Sequence, residues 1–355
     1  MVESTIGQMF DRHNLSGDIG LEIEVEGRRL PTFTYEPNAL PDQPNSPVYL
    51  SQYWTTTRDG SLRGREAWEY IFAQPLPFTE VSNALEDMRK RFEQNSATVD
   101  NTMRAGVHVH INVNSLNVRQ VFTFATAYYL LEEILTANAG FGRQGNHHAL
   151  RLKDAYNVVT RLTTALSIGH LRELNTNDVR YAALNWNSLF NHGSLEFRQK
   201  GTNTCSFDDI YEWVSVLWSI KENAIANFAT PLDVVAAFSG QGGDHLIRTL
   251  LPDFVLADKY VFGIEGWQVS IREHSRIVQD FAFIYQTIEE WEEVFGRVED
   301  TPRPRNRRSN RFFEPQAMPV DFNWNTVQWE RDSIPPTAEE LPEENNSELE
   351  EDGDF

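Results

Sequence analysis

GLEIEVEG, residues 20–27, alternates apolar and acidic side chains without interruption, and this period of two is that of a β-strand. Leu21, Ile23 and Val25 then enter a core, while Glu22, Glu24 and Glu26 share the other face at intervals of roughly 7 Å. On a solvated sheet edge such a row is unremarkable. Inside a cleft the carboxylates would repel one another and take up protons at higher pH, unless a cation were bound.

Working outward, GVHVHINVN at 106–114 and SLEFRQK at 194–200 repeat the alternation, and AWEYIFAQ at 67–74 and RYAALNWN at 180–187 are less regular strand candidates. Longer helical segments separate them. Val81, Leu85, Met88 and Phe92 recur at helical spacing behind Thr79 as N-cap, residues 117–138 form a long apolar helix, and Ser206 with Asp209 has capping-box spacing ahead of a Trp213, Leu217, Ile220 stripe. A fourth helix is expected around Ile271–Phe295. The mixture predicts an α+β fold: a mostly antiparallel sheet with helices on one face.

Composition narrows the function classes. A chain of 355 residues, 40% hydrophobic, can bury a large core, and it contains no apolar run long enough to span a bilayer. The start MVESTIGQMFDRH is charged where a signal peptide is apolar, so a soluble, cytoplasmic protein is expected. Cys205 is the single cysteine, which excludes an internal disulfide and a cysteine-based zinc site. A net charge of −21 argues against nucleic-acid binding by the whole molecule. From Asp332 to Phe355 there are ten acidic residues and no lysine or arginine, so residues 332–355 read as a disordered acidic tail. TPRPRNRRSNRFF at 301–313 lies in a Pro/Arg-rich linker or strap at 301–331, which together with the tail could engage a protein target.

The polar strand faces carry the chemistry. His108 and His110 share a face with Asn112 and Asn114, and two imidazoles at i and i+2 suit metal or phosphate contact better than packing, because each buried ring needs two hydrogen-bond partners. Glu196 and Arg198 share the outer face of the third strand: a simple salt bridge, or in a metal and nucleotide cleft a cation ligand beside a phosphate contact. RDGSLRGREAWEYIFAQPL places Asp59 in a glycine-containing turn and Glu69 in the apolar segment that follows.

Taken in order, GLEIEVE, RDGSLRG with Glu69, AGVHVHI, RYAALN and SLEFRQKGT resemble the amidoligase family, a relative of glutamine synthetase and glutamate-cysteine ligase often found in phage and bacterial genomes. The resemblance implies a glutamine synthetase-like catalytic domain over residues 1–230, whose curved antiparallel sheet surrounds a cleft, with a helical extension at 231–300. It implies an ATP-dependent carboxylate-amine ligase acting through an acyl phosphate with Mg²⁺ or Mn²⁺, in the host cytoplasm if phage-encoded. Its substrates would be small-molecule or peptide carboxylates and amines. Carried over by residue, Glu22, Glu24, Glu69, His108 and Glu196 resemble metal ligands. His110, Arg198, Arg180 and Asn185 resemble ATP or phosphate contacts, with Arg198 and Arg180 also catalytic and Asp59 the base that deprotonates the amine. An unbroken strand would point Asn185 away from Arg180, and Glu26 falls at the cleft rim.

No Walker A run and no strand-linked GxGxxG is present, so nucleotide binding would rest on metal and basic side chains, and no GxSxG elbow suggests a serine hydrolase. Two alternatives remain open at this level: a metal-dependent hydrolase using the same Glu and His residues, and a non-catalytic phage structural or assembly protein. The acidic tail generates a first test. Deleting residues 332–355 should move the melting temperature by no more than about 2 °C in a thermal scan, because a segment without apolar content contributes no core; a larger loss would show that the tail is packed.

Overall fold

A computed structural model describes residues 4–11, 17–39, 48–140, 143, 146–202, 206–251, 253, 267–288, 291 and 295. The Cys205, Pro/Arg-rich (301–331) and acidic-tail (332–355) expectations lie outside the described residues. Residues 1–299 form one compact unit.

Its centre is an antiparallel sheet in the order β4 (Trp54–Thr57), β5 (Glu66–Phe72), β1 (Ile19–Arg28), β7 (Gly106–Asn112), β9 (Ser194–Gly201), β8 (Leu184–Asn185), with β6 (Thr98–Val99) on the far end of β1. A separate parallel pair joins β2 (Thr32–Tyr35) and β3 (Val48–Ser51). The alternation in the three principal strands therefore reads correctly. Leu21, Ile23 and Val25 of β1, Val107, Val109 and Ile111 of β7, and Leu195 and Phe197 of β9 are all buried in one apolar cluster.

Helices cover that apolar face. Trp54 of β4 donates its indole N–H to the Ala84 carbonyl of α2 (Val81–Gln94) at 2.8 Å. Phe197 packs against Phe124 and Tyr128 of α3 (Val118–Ala137), with centroids 5.5 and 4.8 Å away. Asn117 caps α3 through a reciprocal box with Gln120, and Ser206 caps α6 (Phe207–Asn227) with Asp209 as its spacing predicts. Short α1 (Ile6–Met9), α4 (Tyr156–Ile168) and α5 (Asn187–His192), with α7 (Pro231–Gln241) and α8 (Gly243–Leu250), complete the helices up to residue 250.

Three local expectations are corrected. Helix α2 starts at Val81, after a 3₁₀ turn over Phe78–Glu80, and Thr79 is not its cap. Helix α9 runs Trp267–Tyr285 and is followed by a turn at 286–287, with 291 and 295 helical again. RYAALNWN is mostly turn: only Leu184–Asn185 pairs with β9, and the Asn185 side chain then accepts the Asn187 N–H at 3.0 Å, so the chain passes directly into α5.

Helix α9 is fixed to α3 by charge as well as by packing. Fully buried His274 lies 3.0 Å from Glu132 Oε2 and 3.6 Å from Glu133 Oε1, while Tyr285 and Thr126 hydroxyls meet at 3.0 Å. Leu152 N–H also donates to Glu132, and Arg151 and Lys153 pair with Glu133. Burial opposes charge on His274, but the two carboxylates outweigh it and push its pKa up to about 9. A raised imidazole pKa stabilises the fold fully below its ordinary value near 6.5, and that stabilisation is lost as pH rises through about 9. Urea unfolding should accordingly show wild-type stability falling by up to about 3 kcal/mol over that window, and a flatter profile for His274→Gln. Equal slopes would contradict the assignment.

Candidate active site

The face of the sheet opposite the helices carries the acidic and imidazole groups, and strand register brings them together. Glu24 of β1 lies opposite Glu69 of β5, Glu22 of β1 opposite His108 of β7, and His110 of β7 opposite Glu196 of β9, which in turn pairs with Asn185 of β8. The acidic and imidazole groups of four strands, with Asn185 of a fifth, thus meet in one hollow. A register shift between Val107 and Val109 marks an irregularity in the β7–β9 ladder at His108, opposite the stretch that carries Arg198.

Two sets of donor atoms lie within 4.8 Å of one another: Glu22, His108 and Glu196, and Glu24, Glu69 and His108. Together they comprise the five residues that the family resemblance implied as metal ligands. The His108 imidazole lies between the sets, its Nδ1 3.1 Å from Glu22 and 3.9 Å from Glu196, its Nε2 3.9 Å from Glu24. Carboxylate oxygens with one imidazole are a donor set for hard divalent cations, and their mutual proximity inside a cleft fits a bound cation.

The protein offsets this concentration of negative charge unevenly. Burial works against ionisation of Glu22, but hydrogen bonds from His108 (3.1 Å) and His110 (3.2 Å) hold it well below the usual carboxylate range. Glu196 is likewise opposed by burial and held low by His110, Arg198 and His108, and it accepts the Asn185 amide at 2.6 Å. Glu24 accepts the Gly106 N–H at 2.8 Å, yet burial still raises its pKa. A Cβ at position 106 would approach Arg143 Nη2 at 3.3 Å and His108 Nε2 at 3.4 Å, so one of these side chains would have to give by a few tenths of an ångström. Glu69 has no comparable donor among the described residues. Burial, then the charges of Glu22, Glu24 and Asp59, push its pKa up to about 7.

The remaining expected residues surround this core in different ways. Arg198 pairs with Glu196 through Nη1 and reaches the His148 carbonyl at 3.4 Å. Asp59 accepts the Ser61 N–H in its turn, is held low by that contact against burial, and stands within electrostatic range of His108 and Arg180. Arg180 is exposed at the edge, its guanidinium 6.0 Å from the Tyr181 ring. His110 uses both ring nitrogens inside the protein, Nε2 with Glu22 and Nδ1 with the Ser188 and Ser194 hydroxyls at 2.9 and 3.2 Å. Glu26 is buried away from the cluster and accepts the Arg63 N–H, fixing the RDGSLRG loop.

Sequence reasoning passed over Arg143, Ser188 and Ser194. Arg143 is buried and donates to the main-chain carbonyls of Arg198 and Gln199, with Glu24 as its nearest acidic counterweight. Its signal was present, an arginine set in the glycine-rich GFGRQGN at 140–146. The serines give none, since a hydroxyl acquires its role only through the fold.

Residues 54–214 match a family model described as "putative amidoligase enzyme", and no curated protein matches the chain. The matched span holds Asp59, Glu69, His108, His110, Arg180, Asn185, Glu196 and Arg198; Glu22 and Glu24 precede it and join the same hollow through β1 pairing. Among the described residues no helix is long and apolar enough to cross a membrane.

The raised pKa of Glu69 predicts the pH dependence of cation binding. A cation must displace the proton that Glu69 holds below about 7, so Mn²⁺ affinity measured by calorimetry should be level above that pH. Below it, affinity should weaken by up to tenfold per unit. Glu69→Gln should bind more weakly with a flatter profile. A wild-type affinity insensitive to pH across this range would contradict the assignment.

Proposed function

Taking the chain as an amidoligase-family protein, we propose that it is an ATP-dependent ligase that joins a carboxylate to an amine through an acyl phosphate. The observation that carries this reading is the convergence of Glu22, Glu24, Glu69, His108 and Glu196 in two donor sets sharing one imidazole, with Arg198 alongside.

Amide formation from a free carboxylate is slow and uphill in water, and phosphorylation supplies the missing leaving group. A substrate carboxylate oxygen bonds to the γ-phosphorus of ATP as the bond to the β,γ-bridging oxygen breaks and ADP departs. The amine nitrogen then bonds to the acyl carbon, inorganic phosphate leaves, and the amine proton passes to a base. Bound Mg²⁺ or Mn²⁺ would supply charge neutralisation for the polyphosphate.

In this reading Glu22, Glu24, Glu69, His108 and Glu196 hold the cations. A neutral imidazole has a lone pair on one nitrogen only, so His108 serves one cation at a time and a second rests on carboxylates. Arg198 and Arg180 face the phosphoryl oxygens as preorganised donors, Arg198 held by Glu196 and by the His148 carbonyl. Asp59, in the turn beside the cluster and within range of Arg180, accepts the amine proton. Asn185 orients Glu196, and His110 orients Glu22, which we prefer to the direct phosphate contacts expected for these two from sequence.

A second reading, a cation-dependent hydrolase, draws on one observation: a Glu69 carboxylate with a pKa near 7 beside the cluster suits a base that activates water. Phosphate release assays separate the two. With ATP, Mg²⁺, a panel of amino-acid and peptide carboxylates and hydroxylamine as trapping nucleophile, the ligase forms hydroxamate in proportion to phosphate released. Glu196→Gln should lower the rate by at least about 100-fold, and Arg198→Ala by roughly 10²–10³-fold, both with unchanged circular dichroism. Wild-type rates in Glu196→Gln, or hydrolysis without ATP, would count against the ligase.

A further inference from the structure

Next to the cation cluster, a cavity of about 310 Å³ opens at one end of the sheet, lined by Gly20, Glu22, Ile71–Pro75, His110, Asn112, His192 and Ser194 among others. Register explains why it exists. The β1–β5 register ends at Glu22–Ile71 and resumes two residues out of step at Ile19–Leu76, and the residues in between include Gly20 and Ala73, which carry little bulk. A Cβ at Gly20 would sit 3.1 Å from the His110 Cβ, tight enough that His110 would have to shift slightly. Ile71, Ala73 and Pro75 give the cavity a largely apolar wall, and Glu22 and His110 join it to the cation cluster.

We propose that this cavity receives the amine substrate, and that the amine is a primary amine carried on an uncharged body without a free carboxylate. The inference rests on the ligase reading above and narrows it to a substrate class.

Size and charge decide the point. A water occupies roughly 30 Å³, and ammonia is of similar size, so the cavity exceeds the needs of ammonia about tenfold. It lies instead at the lower limit of small-molecule sites, with room for a body of about ten non-hydrogen atoms. Among the described residues, its lining contains no lysine or arginine. Both His110 nitrogens are engaged with Glu22 and the Ser188 and Ser194 hydroxyls, so the imidazole offers no donor to an anion. What faces the cavity beside it is the Glu22 carboxylate, an acceptor for amine N–H groups.

The cations lie elsewhere. Arg104, Arg143, His147 and Arg198 all act electrostatically on His148, which places the basic groups together near the β9 strand at Arg198. None of the five lines the cavity. A carboxylate donor and phosphates therefore suit the basic group, and an amine without a carboxylate suits the cavity. The carbon–nitrogen bond would form between them, beside the donor sets.

Leucinamide and leucine share one body and differ in the carboxylate, so the pair tests the proposal directly. Each is titrated into Mn²⁺-loaded full-length protein at about pH 8, with benzylamine and adenosine as further arms. Leucinamide or benzylamine should bind, and leucine at least tenfold more weakly than leucinamide. Ala73→Trp should abolish amine binding while Mn²⁺ affinity stays within twofold; Ala73→Leu, expected to weaken amines at least fivefold, serves where the tryptophan variant fails to fold. Leucine binding as tightly as leucinamide, unchanged amine binding in both variants, displacement of the amines by adenosine, or no binding of either amine would overturn the proposal. Failure of the ligase reading is distinguishable: amines would still bind and Ala73→Trp would still block them, but no ATP-dependent phosphate release would occur.

Discussion

Like charges crowded on a sheltered sheet face are the constraint on which the rest of this structure depends. Two carboxylates about 4 Å apart repel by about 4 kcal/mol at an effective dielectric of about 20, and here Glu22, Glu24, Glu69 and Glu196 are gathered around one imidazole. The fold compensates each by different means. Glu22 takes two imidazoles, Glu196 takes an amide and a guanidinium, and Glu24 takes a backbone N–H. For Glu69, burial and its acidic neighbours outweigh the charge of Arg198, and its pKa is raised.

The opposite face explains how such a cluster is tolerated. Its strands are secured by a continuous apolar layer in which Phe197, Trp54 and Tyr70 are fully buried, so register is fixed by packing before any charge is placed. A slip of one residue on β1 would bury Glu22 and Glu24 in that layer and expose Leu21 and Ile23. Helix α3 extends the same logic downward: its apolar surface supports β9, and its Glu132 and Glu133 engage His274 of α9.

Much of this was legible in the chain itself. The period of two in residues 20–27, 106–114 and 194–200 determines which side chains share a face, and a face shared by several strands of one sheet becomes a cluster. The capping boxes at Asn117 and Ser206 announce their helices because the chemistry is local. What escaped depends on tertiary context. RYAALNWN looks like a strand, but Asn185 uses its side chain to start α5. Glu26 shares the face of Glu22 and Glu24 yet is captured by the Arg63 N–H, and the Ser188 and Ser194 hydroxyls reach His110 only through the fold. Arg143 enters from a loop that no strand period could place. The family match begins at residue 54 and so excludes Glu22 and Glu24; pairing of β1 with β5 and β7 is what joins them to the site.

The central claim is that groups from β1, β5, β7 and β9 act as one cation-binding centre. Crystals soaked in Mn²⁺ and measured at its absorption edge test this most directly. The account predicts anomalous peaks bounded by Glu22, His108 and Glu196 or by Glu24, Glu69 and His108. Peaks confined to other carboxylates, with the hollow lacking density at saturating Mn²⁺, would contradict it.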